Sequence, residues 1–111
     1  MRYMLLIYGD PRQPDTPELL ARYAAFTSET AERGAMRAAH QLHRADTATT
    51  VRVRDGKAVI SDGPYAETKE QIGGFYLLDC KNLDEALEWA AKIPNAEDGS
   101  IEVRPVVERA G

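Results

Sequence analysis

Apolar residues along this chain follow two rhythms, one of period two and one of period 3.6. Over residues 3–8, Tyr3, Leu5 and Ile7 alternate with Met4, Leu6 and Tyr8. A strand here is apolar on both faces, the pattern of a strand covered from both sides. Leu19, Tyr23, Phe26 and Thr30 then recur at helical spacing, with Leu20 and Ala31 widening the stripe. Thr16 is placed to cap that helix, Pro17 suits its first position, and Glu18 sits beside the positive end of its dipole. Gly34 closes it.

Period two returns at residues 36–42, interrupted by Arg37, His40 and Gln41, and more cleanly from Thr47 to Arg54. There Thr49, Val51 and Val53 share one face, and Thr50, Arg52 and Arg54 the other. Asp55-Gly56 has the composition of a two-residue type I′ turn, with Lys57 to Ser61 as the returning strand. Residues 75–80 form another strand that is apolar on both sides. Asn82 caps a second helix with Leu83, Ala86, Leu87 and Ala90 as its stripe and Pro94 as its stop. Residues 101–107 make the last strand; Pro105, without an N–H, points to a sheet edge or to irregular pairing at the strand's end.

The order β-α-β, hairpin, β-α-β predicts an α+β fold, a ferredoxin-like sandwich with an inserted β-hairpin, as one domain over residues 1–111. Two helices cover only one face of a four-stranded sheet. The strands at 3–8 and 75–80 are apolar on both faces, and no segment is left to cover the second. A homodimer with facing sheets is therefore expected.

Composition narrows the partners. The chain has 111 residues, 43% hydrophobic and 29% charged, with a formal net charge of -4 and a pI near 5.2. That balance is ordinary for a soluble domain and carries no basic footprint for nucleic acid. A single cysteine, Cys80, cannot form an intrachain disulfide and fits a reducing, cytoplasmic setting. The apolar start is too short for a signal sequence, and no membrane-spanning run is present. No Walker loop, Rossmann glycine pattern, zinc pattern or Ser–His–Asp spacing occurs, so no cofactor is expected.

The densest chemistry lies in residues 62–74, Asp-Gly-Pro-Tyr-Ala-Glu-Thr-Lys-Glu-Gln-Ile-Gly-Gly. Asp62 can bond back to nearby amides, and Pro64 holds Gly63 out of the helical region. In a single helical turn Glu67 and Glu70 would share a face, with Lys69 off it. Paired carboxylates beside a lysine suit acid–base work where burial separates their pKa values. Asp62, Glu67 and Lys69 are accordingly the catalytic candidates; His40, Tyr65 and Tyr76 are the candidate ligand-binding residues. Gly73-Gly74, just before a strand, would admit a ligand or a partner backbone closely. A capped turn joining the hairpin to a core strand would use the same residues. His40 and His43, three apart on a strand, point to opposite faces and cannot chelate one metal together. Arg52, Arg54 and Lys57 read as a solvated basic face.

The segment Asp62 to Glu70, followed by Gly73-Gly74-Phe75-Tyr76, resembles the signature of the DGPF subfamily of YCII-related proteins, with Tyr65 where a Phe is usual. Similarity extends through residues 3–8, 47–52, 84–90 and 102–105. The resemblance implies a dimeric α-β barrel. Many YCII-like proteins carry a His–Asp pair, the His early in the first helix and the Asp before a Pro after the second. Here the helix starts Pro17-Glu18-Leu19-Leu20 and Ile93 precedes Pro94, so the pair is not carried over. DGPF proteins also resemble domains found beside extracytoplasmic-function sigma factors. Two functions are therefore open: a small-molecule pocket near residues 62–74, or a non-enzymatic regulatory module for such a sigma factor. A pocket lined by the motif carboxylates would favour the first. A solvent-open loop bonded within itself would favour the second.

Overall fold

The structure, a computed structural model, describes residues 1–109. Strands β1 (Arg2–Gly9), β2 (Met36–Gln41), β5 (Gln71–Asp79) and β6 (Ser100–Pro105) form one sheet in the order β2-β5-β1-β6. All its neighbouring strands are antiparallel. Helices α1 (Pro17–Glu32) and α2 (Leu83–Ala91) supply the two crossovers. This is the ferredoxin-like arrangement. Strands β3 (Thr49–Arg54) and β4 (Lys57–Asp62) form a separate two-stranded hairpin inserted between β2 and β5.

Local signals account for the boundaries. The Thr16 hydroxyl accepts a hydrogen bond from the Leu19 amide at 3.1 Å, and Asn82 Oδ1 accepts one from the Glu85 amide at 3.0 Å. Both satisfy amides that a helix start leaves free. Asp55 and Gly56 take φ of 53° and 74°, the positive pair that a type I′ turn requires. Pro105 ends β6, which is an edge strand.

Both helices lie on one face of the sheet. Phe26 of α1 meets Tyr76 of β5 edge-on at 4.8 Å and Trp89 of α2 at 6.0 Å. Tyr3, Leu5, Ile7, Tyr76 and Leu78 are buried on that face. Leu5 and Leu78 are wholly buried, a state worth roughly 1.5–3 kcal/mol for each such side chain. Thr30, the buried polar residue, turns its hydroxyl back to the carbonyls of Phe26 and Thr27. On the opposite face Met4, Leu6, Tyr8, Phe75 and Leu77 are only half-buried and stand outside the core.

Several details depart from the expected pattern. In α1, Leu20 and Ala31 are exposed rather than part of the buried stripe. In α2 the buried residues are Ala86, Trp89 and Ala90, while Leu83 and Leu87 are 47% and 46% exposed. The stripe there runs Ala86–Trp89–Ala90–Ile93, with the alanines admitting the helix closely and Trp89 supplying volume against Phe26. A 3-10 turn, Ala45–Thr47, replaces the first residues expected of β3. Strand β5 begins at Gln71, so Gly73 and Gly74 lie within it, and β6 stops at Pro105 rather than residue 107.

The hairpin inverts the usual burial. Val51, Val53 and Ile60 share a face, since Val51 pairs with Ile60 and Val53 with Ala58. These three are 59%, 63% and 67% exposed, whereas Thr50 and Arg52 on the other face are half-buried. Alternation put Val51, Val53 and Ile60 on one face, with Val59 on the other beside Arg52; among the described residues that first face stays exposed.

Candidate functional site

A cleft of about 550 Å³ opens between the N-terminal half of α1 and the β2–β5 end of the sheet. Its apolar walls include Ile7, Leu19, Leu20, Ala24, Ala39 and Ile72. This explains Leu20: the side chain faces the cleft instead of packing against the sheet. The volume lies within the range of small-molecule sites, and a mostly apolar lining with a few polar groups is their usual character.

Those polar groups come from distant parts of the chain. The Tyr23 hydroxyl of α1 donates to Asn95 Oδ1, beyond α2. Asn95 Nδ2 in turn donates to Asp98 at 3.1 Å, and Gln13 Nε2 donates to the other Asp98 oxygen at 3.0 Å. Burial pushes the Tyr23 phenol up to about 12. Deeper in, the Tyr76 hydroxyl lies 2.8 Å from Thr27 Oγ1, and burial raises its pKa against the lowering effect of that bond. Both phenols are therefore protonated at neutral pH and act as neutral hydrogen-bonding groups rather than nucleophiles. At the rim Gln41 Nε2 donates to Asp15 at 3.2 Å; His40 and His43 border the cleft, the His40 ring lying against Phe75 on the other face of the sheet.

The six candidate residues separate. His40 and Tyr76 line the cleft. Lys69 lines a second, more open and polar hollow with Asp10, Arg12, Gln13, Thr68, Glu70 and Asp98. In that hollow Arg12 grips Asp10 through two side-chain hydrogen bonds of 3.0 and 2.8 Å, holding the Asp10 carboxyl down at about 2. Asp62, Tyr65 and Glu67 line neither hollow, and Tyr65 is 81% exposed.

The loop is arranged from within. No helical turn forms over residues 67–70, so the shared face expected for Glu67 and Glu70 is absent. Instead the Gln71 side-chain amide donates to the carbonyls of Ala66 and Thr68 and to Thr68 Oγ1. Thr68 Oγ1 donates to the Glu70 carbonyl, and Glu70 Oε2 accepts from Ser100 at 3.0 Å. Where the loop leaves β4, the Gly63 amide donates to Ala48 O at 2.7 Å, and Thr50 Oγ1 donates to Gly63 O at 2.8 Å. Gly74 is also used internally: a Cβ there would stand 2.8 Å from His40 O, so its bareness admits β2. The motif thus reaches the cleft through Gln71–Gly74, and its carboxylates do not.

Tyr23, Thr27 and Asn95 escaped sequence reasoning because they are 4 to 72 positions apart and carry no spacing motif. The available signal was a phenol on the apolar stripe of α1, whose hydroxyl needs a partner when half-buried.

An antiparallel β2-β5-β1-β6 sheet with both helices on one face, and a cleft beneath the first of them, places the chain among the ferredoxin-like α+β proteins. It belongs to the YCII-related family, whose domain pattern matches residues 1–110. An uncharacterized protein of Rhizobium meliloti (strain 1021) is 37% identical to it, over 96% of this chain and 92% of that protein. Among the described residues no helix is long and apolar enough to cross a membrane.

Proposed function

We propose that this YCII-related protein is a homodimer with facing sheets, and that each copy binds a small molecule in the cleft beneath α1. The observation that carries the ligand reading is the cleft itself, about 550 Å³ with apolar walls and two protonated phenols, Tyr23 and Tyr76. Such a lining suits a largely apolar or aromatic molecule bearing a polar group that can exchange hydrogen bonds with neutral hydroxyls. His40 borders the cleft, but its ring lies 5.7 Å from Phe75, its cross-strand partner on the sheet face away from α1. Asp62, Glu67 and Lys69 keep a supporting place in this reading, on the loop whose far end forms one wall. The half-buried apolar residues Met4, Leu6, Phe75 and Leu77 support the facing sheets.

A thermal-shift ligand screen tests the cleft, using the wild type, Ala24→Trp and Glu67→Gln. Ala24 is exposed on α1 and lines the cleft, so an indole there fills it without entering the core. Compounds that stabilise the wild type should lose their effect on Ala24→Trp and keep it on Glu67→Gln. A compound acting equally on all three binds elsewhere and sinks the reading.

By the criterion read from the sequence, the loop itself favours the regulatory reading: its carboxylates stay out of the cleft, Tyr65 is exposed, and Thr68 and Gln71 bond inside the loop. The ligand reading rests on the cleft alone. Co-elution with an extracytoplasmic-function sigma factor, abolished by Tyr65→Ala, would favour it over the cleft.

A further inference from the structure

Two quantities show that this chain is more open than a monomer of its size should be. A folded monomer of 12.3 kDa exposes roughly 6,100 Å²; this one exposes 7852 Å². The excess, roughly 1,700 Å², is what one partner contributes to a large permanent interface. The radius of gyration is 15.9 Å, against about 13 Å for a compact domain of this length. The molecule is a slab of 47 × 43 × 18 Å.

The β3–β4 hairpin accounts for much of that openness. Among the described residues it packs against no helix and no other strand to any extent beyond its root. An isolated two-stranded hairpin is marginally stable in water, yet this one carries Val51, Val53 and Ile60 on its bare face. A strand face of β-branched residues left in water is also an aggregation hazard. Its charge has the opposite sign to the rest of the molecule. Arg52, Arg54 and Lys57 outnumber Asp55 and Asp62 on a chain of net charge -4. The arm is therefore complementary in charge to the body of another copy of the same chain.

We infer that the β3–β4 hairpin is an exchange arm, which each copy lays on the other so that Val51, Val53 and Ile60 are buried between them. This rests on the homodimer proposed above and adds the element that clasps it. The second copy is favoured as occupant by the size of the surface excess and by the charge difference between arm and body. Because the hairpin follows directly on the cleft-lining residues 39–45, the clasp also ties one wall of the cleft to the dimer.

The test uses a Val51→Lys, Ile60→Glu double variant. These residues face each other across the hairpin, so opposite charges keep it paired while removing its apolar face. Sedimentation velocity over a dilution series should show a wild-type dimer and a variant weakened by roughly 100-fold or more, as expected when two buried anchors are lost. Hydrogen exchange on the wild type gives a measure independent of the variant's folding. Amides of residues 50–61 should be protected in the dimer and lose protection on dilution, while β1 and β5 stay protected. A variant that dimerises like the wild type, or hairpin amides that exchange equally fast in dimer and monomer, overturns the arm and leaves the dimer standing. A wild type that is monomeric throughout overturns both.

Discussion

Leu5 and Leu6 are consecutive leucines in β1 with opposite surroundings. Leu5 is wholly buried, on the face where Phe26 links both helices to Tyr76. Leu6 points the other way, beside Phe75 in the register, and is half-buried with no helix over it. Their hydrophobicity is identical, so the difference lies wholly in what the chain can bring to each side. One face folds the monomer and encloses the cleft. The other carries half-buried apolar side chains, the surface on which the proposed homodimer rests.

That contrast can be broken most directly by truncation. Leu5→Ala should cost about 3 kcal/mol, through lost transfer energy plus a cavity. Leu6→Ala should cost about 1 kcal/mol or less in the dilute monomer, where little burial is lost, and more at concentrations that favour the dimer. Urea unfolding at two widely separated protein concentrations measures both. Equal losses at all concentrations would mean that the two faces are equivalent.

A pair of glycines sharpens the comparison within β5. Gly74→Ala drives a methyl to within 2.8 Å of His40 O and should destabilise by about 2 kcal/mol, since backbone cannot retreat as a side chain can. Gly73→Ala meets nothing within 4 Å and should stay within about 0.5 kcal/mol of the wild type. Thermal unfolding of the two variants reads the difference. If Gly73→Ala were the more damaging, the bareness of the pair would serve something outside the chain.

The smallest effect concerns the cleft side. Tyr23 titrates at an ordinary value of 10.0 when unfolded and at about 12 when folded. The folded state holds the proton more tightly, so its contribution is fully present below pH 10 and declines as pH rises from 10 toward 12. Tyr76 adds in the same direction. Urea midpoints measured across that window should fall, and the fall should be shallower in Tyr23→Phe. An unchanged slope would remove Tyr23 from the account.

Much of the fold was legible because its signals are local. Thr16, Asn82 and the Asp55-Gly56 turn act on their own backbone, and Pro105 needs only an unpaired side. What was not legible depends on which neighbour arrives. The spacing of Leu83 and Leu87 suits a buried stripe as well as that of Ala86, Trp89 and Ala90, and only the placement of Phe26 decides between them. The hairpin's alternation was read correctly as a pattern, but alternation carries no information on which face is covered. The cleft was the least accessible part. Its phenols and amide are assembled by the crossovers, while the dense polar motif, which drew attention in the sequence, spends much of its hydrogen bonding on itself. Of the six proposed residues, Tyr76 turns toward the cleft beneath α1, whereas the ring of His40 lies on the other face beside Phe75.

The central claim is that one sheet face is built for a second copy. Sedimentation equilibrium of the wild-type chain at micromolar concentration tests it most directly. The account predicts a mass twice the 12.3 kDa of the chain. A single species of 12.3 kDa, unchanged as concentration rises, would contradict it.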